Sequence, residues 1–256
     1  MKKLIAAITT ILITATTASA EITIINPGSA QGTFRQVLNT IGETVEHRFV
    51  QANNPVTAYS HMQNDAGPIL TMWSSEWPGN SKLISPKITA GNLIALMTYE
   101  TMICSRHYTS LEDMQGKTVK IATWGSESVS RFLTNLGQRL DISFKIVPFD
   151  GSGSTTKGYI AGDANTVFTI TTRKSAIEED SATNCIAFST KGDLKFRFVD
   201  AIITINANKV TVDNFRNIVT ELSSITAWQD KFNGSTTRVG GSNIDIFNEA
   251  VINFSN

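Results

Sequence analysis

KTVKIATWGSESVSRFLTNLGQRLDISFKIVPFDGSGSTTKGYIAGDANTVFTIT, residues 117–171, decides the fold. Residues 117–123 read as a strand, 126–140 as a helix, 144–149 as a strand, 154–161 as a helix and 166–171 as another strand. Strands alternating with helical periods of this length predict βα units and an open, mostly parallel sheet. The same unit stands upstream. A strand at 21–26 leads through a small-residue loop into a helix carrying Phe34, Val37, Leu38, Ile41 and Val45. Strands at 48–51 and 69–73 then flank a helix at 56–63, set behind the Asn53-Asn54-Pro55 turn. Between the two series lies an extended stretch at 92–105. Extended runs at 185–190 and 196–206 and helices at 212–222, 227–232 and 244–252 complete the chain, with Asp213 placed where an acid favours a helix N-terminus.

The repetition predicts a two-lobed α/β protein, each lobe an open, mostly parallel sheet flanked by helices. Residues 92–105 would cross from lobe one to lobe two, and a segment around 190–198 would cross back, forming a two-strand hinge. Lobe one is then 21–100 plus 198–256, and lobe two is 101–197. A single doubly wound domain is the competing arrangement; small-residue loops at matching places in the two halves favour two lobes.

The first 20 residues set the compartment. Met1-Lys2-Lys3 is a positive start, 4–17 an apolar, Thr-rich stretch, and Ala18-Ser19-Ala20 a small-residue cleavage pattern. Cleavage after Ala20 and export to the periplasm are expected, because a membrane span needs about 20 mainly apolar residues and five threonines interrupt this one. No Cys sits beside the cut to accept a lipid. Removal of the leader takes Lys2 and Lys3 from the 22 basic residues while all 22 acidic ones remain, a net charge of −2. Such a balance gives no bulk attraction to nucleic acid or to a membrane surface. Cys104 and Cys185 are the only cysteines, and export makes them a candidate disulfide, with two buried free thiols as the other reading. His47, His61 and His107 have no metal-site spacing, so neither a metal nor a cofactor is expected.

In open α/β sheets ligands bind beyond the carboxyl ends of the strands. Three loops there are rich in glycine and hydroxyl residues: Gly28-Ser29-Ala30-Gln31-Gly32-Thr33, Trp124-Gly125-Ser126-Glu127-Ser128, and the 150–156 turn with Ser152, Gly153 and Ser154. Tight turns and helix N-caps use the same residues; equivalent positions in three βα units point to a shared cleft. There, backbone N–H groups at helix N-termini and side-chain hydroxyls can hold an anion. Trp73, Ser74 and Ser75 end a strand facing the same cleft, and Arg173, just past another strand, is a candidate ion partner. Catalysis finds less support. Residues 125–129 do not complete a Gly-x-Ser-x-Gly elbow, the 151–156 turn lacks the Gly-Lys-Ser/Thr ending of a P-loop, and Glu178-Glu179-Asp180 reads as a solvated helix end. An exported hydrolase using Ser126 or Ser128 is the rival class.

Five stretches resemble one family. Residues 25–36 are similar to a Pro-Gly-rich turn entering a helix, 110–117 to a segment leading into a second lobe, and 124–132 to a Gly-Ser loop. Val147-Pro148-Phe149-Asp150-Gly151-Ser152-Gly153 followed by 159–163, and the tail 232–247, complete the likeness. The family is that of the periplasmic receptors of tripartite tricarboxylate transporters, which have the type II periplasmic-binding-protein fold. The resemblance implies a solute-binding protein that takes a mono- or dicarboxylate between its lobes and delivers it to membrane transporter subunits; a monomer is expected. Two departures stand out: Gly32 occupies about the place of a family Asp associated with amino-bearing ligands, and Glu127 adds a negative charge to an anion loop. Receptors of TAXI-type TRAP transporters and membrane-kinase sensor modules are neighbouring readings.

Overall fold

The computed structural model describes residues 21–78, 83–179, 183–187 and 197–255. The expected leader and cleavage site at 1–20 and most of the expected return crossing lie outside them. Among the described residues no helix is long and apolar enough to cross a membrane.

Strand β1 (Ile22–Asn26), helix α1 (Thr33–Gly42), β2 (His47–Gln51), α2 (Pro55–Asn64) and β3 (Ile69–Ser74) form the first βα series. Asn54 accepts the Thr57 N–H at 2.8 Å and Pro55 supplies a fixed φ in the first turn, so α2 starts where the Asn-Asn-Pro turn predicts. Strand β4 (Leu93–Ser105) leads to the second series: β5 (Thr118–Trp124), α3 (Glu127–Leu140), β6 (Ser143–Phe149), α4 (Gly151–Ile160) and β7 (Thr166–Ile170). Next come α5 (Lys174–Glu178), β8 (Asn184–Ala187), β9 (Arg197–Ile205), α6 (Lys209–Ser224), α7 (Thr226–Lys231), β10 (Ser235–Val239) and α8 (Ile244–Ser255). The sequence reading did not include β10, whose polar STTRV run carries little strand signal.

β1 pairs in parallel with β2 and β3, and β5 with β6 and β7, as two βα series require. The connecting strands run antiparallel to these: β3 with β9, β9 with β4, and β4 with β7. The sheet order is β2-β1-β3-β9-β4-β7-β5-β6, with β8 and β10 also on β4. β4 therefore serves both lobes. Its residues from Leu93 to Glu100 pair with β9, whereas Thr101 to Ser105 pair with β7. Cys104 and Cys185 stand opposite each other on β4 and β8 and form a disulfide.

One apolar core continues through both lobes, holding Ile24, Leu38 and Met72 of the first together with Val119, Leu133 and Phe168 of the second. Helix α8 reaches across: Phe247 packs against the β9 side of lobe one, while Phe254 lies 4.6 Å from the Phe198 ring and its carbonyl accepts from Arg131 of α3. In the second lobe Gly158 admits the Phe149 ring, since a Cβ there would stand 2.2 Å from it. That close approach seats α4 on the sheet and fixes where its N-terminus points.

Candidate functional site

The carboxyl ends of β1, β3, β5 and β6 and the start of β9 meet where the two lobes join. In lobe one the loop after β1 is shaped by Asn26, which is completely buried. Its Nδ2 donates to the carbonyls of Gly28 and Ser29 and to Gln51, and its Oδ1 accepts the Gly28 N–H. These bonds hold Ser29 in place. Gly32 is the N-cap of α1, and a Cβ there would come within 2.8 Å of Ser29 Oγ. A side chain at the position where the resembled family often carries Asp would have to displace the Ser29 hydroxyl. Gly28, Ser29, Gly32 and Thr33 are half-buried, while Ala30 and Gln31 are exposed.

The turn after β3 divides its residues among different tasks. Trp73 is fully buried and its Nε1 donates to Ser85; alternation along β3 places it with Ile69 in the apolar cluster that includes Leu96 and Phe247. Ser75 pairs with the backbone of Val199 on β9 in both directions, its N–H donating at 2.9 Å and its Oγ accepting at 3.3 Å. Ser74 bonds to Asp200, the residue opposite it on β9. Glu76 is the one that crosses to lobe two. Its Oε2 accepts Trp124 Nε1–H at 2.9 Å, and its backbone carbonyl accepts the Ser128 hydroxyl at 2.7 Å.

Burial pushes the Glu76 carboxyl up to about 7, against hydrogen bonds from Trp124, Ser126 and Trp77 that pull it down. Burial likewise pushes Asp200 up to about 8; the Ser74 bond opposes this, the Glu76 charge adds to it, and a Tyr99 bond opposes it again. Burial, then the neighbouring Asp200, raises Tyr99. Neither acid was singled out from the sequence. Asp200 had a signal, being the lone charge in the apolar strand FVDAIITI; Glu76 had none beyond its place at a strand end.

In lobe two Ser126 caps α3, accepting the Val129 N–H at 3.4 Å. Trp124 packs on Phe198 and Phe168 at 4.9 and 5.4 Å, while Gly125 and Glu127 are exposed. The charge of Glu127 therefore sits in solvent at the first turn of α3. Helix α4 begins differently. Asp150 stands at its N-cap without a side-chain capping bond, and Gly151 takes φ +76, a turn that glycine makes without Cβ strain. Ser152 and Gly153 are half-buried and Ser154 is exposed. A Cβ on Gly151 would stand 3.9 Å from Ser29 Oγ, and one on Gly153 would stand 3.9 Å from an Arg173 Nη. The Arg173 Nε is buried without a hydrogen-bond partner, and burial lowers the guanidinium pKa, partly offset by Tyr99.

Two groupings result. Ser29, Gly151 to Gly153 and Arg173 surround the α4 N-terminus, and Glu76, Trp124, Ser126 and Ser128 bridge the lobes at the α3 N-terminus. Each grouping offers helix-terminal amides, hydroxyls and a guanidinium or indole donor, a set of groups that can interact with negative charge. Among the described residues no group of three or more His, Cys, Asp or Glu could hold a metal ion.

No protein-family model and no curated protein sequence matches the chain. Solved structures do. MatC from Rhodopseudomonas palustris with bound malate is similar with a TM-score of 0.69 and 11% identity, over 92% of this chain and 97% of that one. A second R. palustris protein, with adipate, gives 0.71 and 10% over 91% and 93%. A TctC solute-binding protein from Polaromonas gives 0.62 and 11% over 93% and 98%. At these identities what is shared is the fold. The chain has the fold of the periplasmic solute-binding proteins, and the TctC-type match lies in the family that the loop motifs resemble.

Proposed function

We propose that the mature chain is a periplasmic solute-binding receptor that holds a small carboxylate-bearing molecule between its lobes and delivers it to a membrane transporter. One observation carries the reading: the α4 N-terminus, uncapped by Asp150, faces Ser29 of the other lobe and the Arg173 guanidinium. A helix N-terminus favours an anion, and an arginine beside it adds a forked donor. The fold adds support, since the similar MatC structure holds malate and the second R. palustris structure holds adipate.

Lobe one is taken as 21–100 with 198–256 and lobe two as 101–197, after cleavage of the leader behind Ala20, and the receptor acts as a monomer. A ligand held by Ser29 in lobe one favours closure because α4 and Arg173 of lobe two then meet it. No chemistry follows. The Ser128 hydroxyl is committed to the Glu76 carbonyl and Ser126 to its cap, so neither is poised as the nucleophile of a hydrolase.

The test is titration of the mature protein with C3 to C6 carboxylates, amino acids and sugars, followed by melting temperature and tryptophan fluorescence. A carboxylate is expected to raise the melting point and shift Trp124 emission; a response to sugars alone, or turnover of an ester abolished by Ser126→Ala, overturns the reading.

A further inference from the structure

The two anion-type positions of lobe two are not equally accessible to a ligand. At α3 the donors already face a carboxyl group of the protein: Glu76 Oε2 accepts Trp124 Nε1–H at 2.9 Å, and Ser126 bonds to the same carboxyl. Glu76 is only 6% exposed, and Ser128 binds its backbone carbonyl, so side chain and main chain of residue 76 are both tied to lobe two. A ligand carboxylate can reach these donors only by breaking that double attachment. At α4 no side-chain cap competes, and Ser29 and Arg173 flank the helix end.

We propose that Glu76 is a specificity-determining residue, a built-in carboxyl that fills the α3 position and restricts the receptor to ligands bearing a single carboxylate. The inference rests on the receptor reading above. A ligand's second carboxylate would find the α3 donors already taken by Glu76.

The experiment compares chain-length-matched acids, butyrate with succinate and hexanoate with adipate, and adds lactate and alanine. Binding is measured by calorimetry and melting-point shift on the mature protein and on Glu76→Ala and Glu76→Gln. The unmodified protein should bind a single-carboxylate acid at least about tenfold more tightly than its dicarboxylate match, the scale of one lost charge-assisted hydrogen bond. Glu76→Ala, which frees the indole N–H and Ser126, should reduce or invert that preference by about tenfold or more. Glu76→Gln, which keeps an acceptor in place, should retain the original ranking; where the alanine variant melts too low, Glu76→Ser takes its place. A dicarboxylate bound as tightly as its match by the unmodified protein, or an unchanged ranking in folded Glu76→Ala, overturns this inference and leaves the receptor reading standing. If no acid of either kind binds any variant, both fall.

Discussion

Helices α3 and α4 begin at equivalent places, each behind a parallel strand of lobe two, yet their N-termini have different partners. The first is capped by Ser126 and faces a carboxyl from lobe one; the second has an uncapped Asp150 and faces a hydroxyl and a guanidinium. The same local motif thus has two settings: at α3 the protein's own acid bridges to the helix end, and at α4 the helix end has no side-chain cap and lies beside Ser29 and Arg173. Backbone geometry makes a helix N-terminus attractive to negative charge, but the neighbouring side chains decide whose charge it receives.

The sharpest break would come from Arg173. Arg173→Ala should weaken carboxylate binding by about 2–3 kcal/mol, near a hundredfold, and Arg173→Lys should restore only part, because an ammonium lacks the planar fork; calorimetry measures both. A result equal to the unmodified protein would place the ligand away from α4.

Titration probes the other end. Glu76 and Asp200 have folded pKa values raised to about 7 and about 8 from 4.5 and 3.8. The folded state therefore holds protons that the unfolded state has released, and stability should fall as pH rises through the window from roughly 4 to 8. Each group contributes at most about 1.4 kcal/mol per pH unit while its folded form is protonated and its unfolded form is not. Glu76 faces Trp124, Ser126 and Trp77, and Asp200 faces Ser74 and Tyr99 with Arg173 near the tyrosine. Urea unfolding across this pH range should give a flatter profile in Glu76→Gln and in Asp200→Asn.

Smaller effects separate the helix ends further. Trp124→Phe removes the indole donor and should cost about 1–2 kcal/mol of stability by urea unfolding, since a buried acceptor loses its partner. Ser126→Ala should cost about 1 kcal/mol through the lost cap, whereas Asp150→Ala should change stability by less than about 0.5 kcal/mol because Asp150 makes no capping bond. Equal costs at the two positions would erase the contrast between them.

Much of this was legible in the chain. The 2- and 3.6-residue periods located the two βα series, and the Gly-Ser turns marked the strand ends at which helix N-termini gather. Local chemistry fixes such features, because a cap, a turn or an apolar face depends on residues a few positions apart. The uses of individual side chains lay beyond that range. Trp73 went to the core and Ser75 to the backbone of a strand 124 residues away. Glu76 found Trp124 across 48 residues, and Asp200 met Ser74 through the register of β3 on β9.

The amino-acid order by itself determined that strands end in small, donor-rich turns on one side of a sheet. Only the tertiary structure decided that one of those turns would be filled by the chain's own acid while another would face an arginine. Propensity and periodicity act between near neighbours, whereas a buried carboxyl takes its partner and its raised pKa from whatever distant strands and helices pack around it.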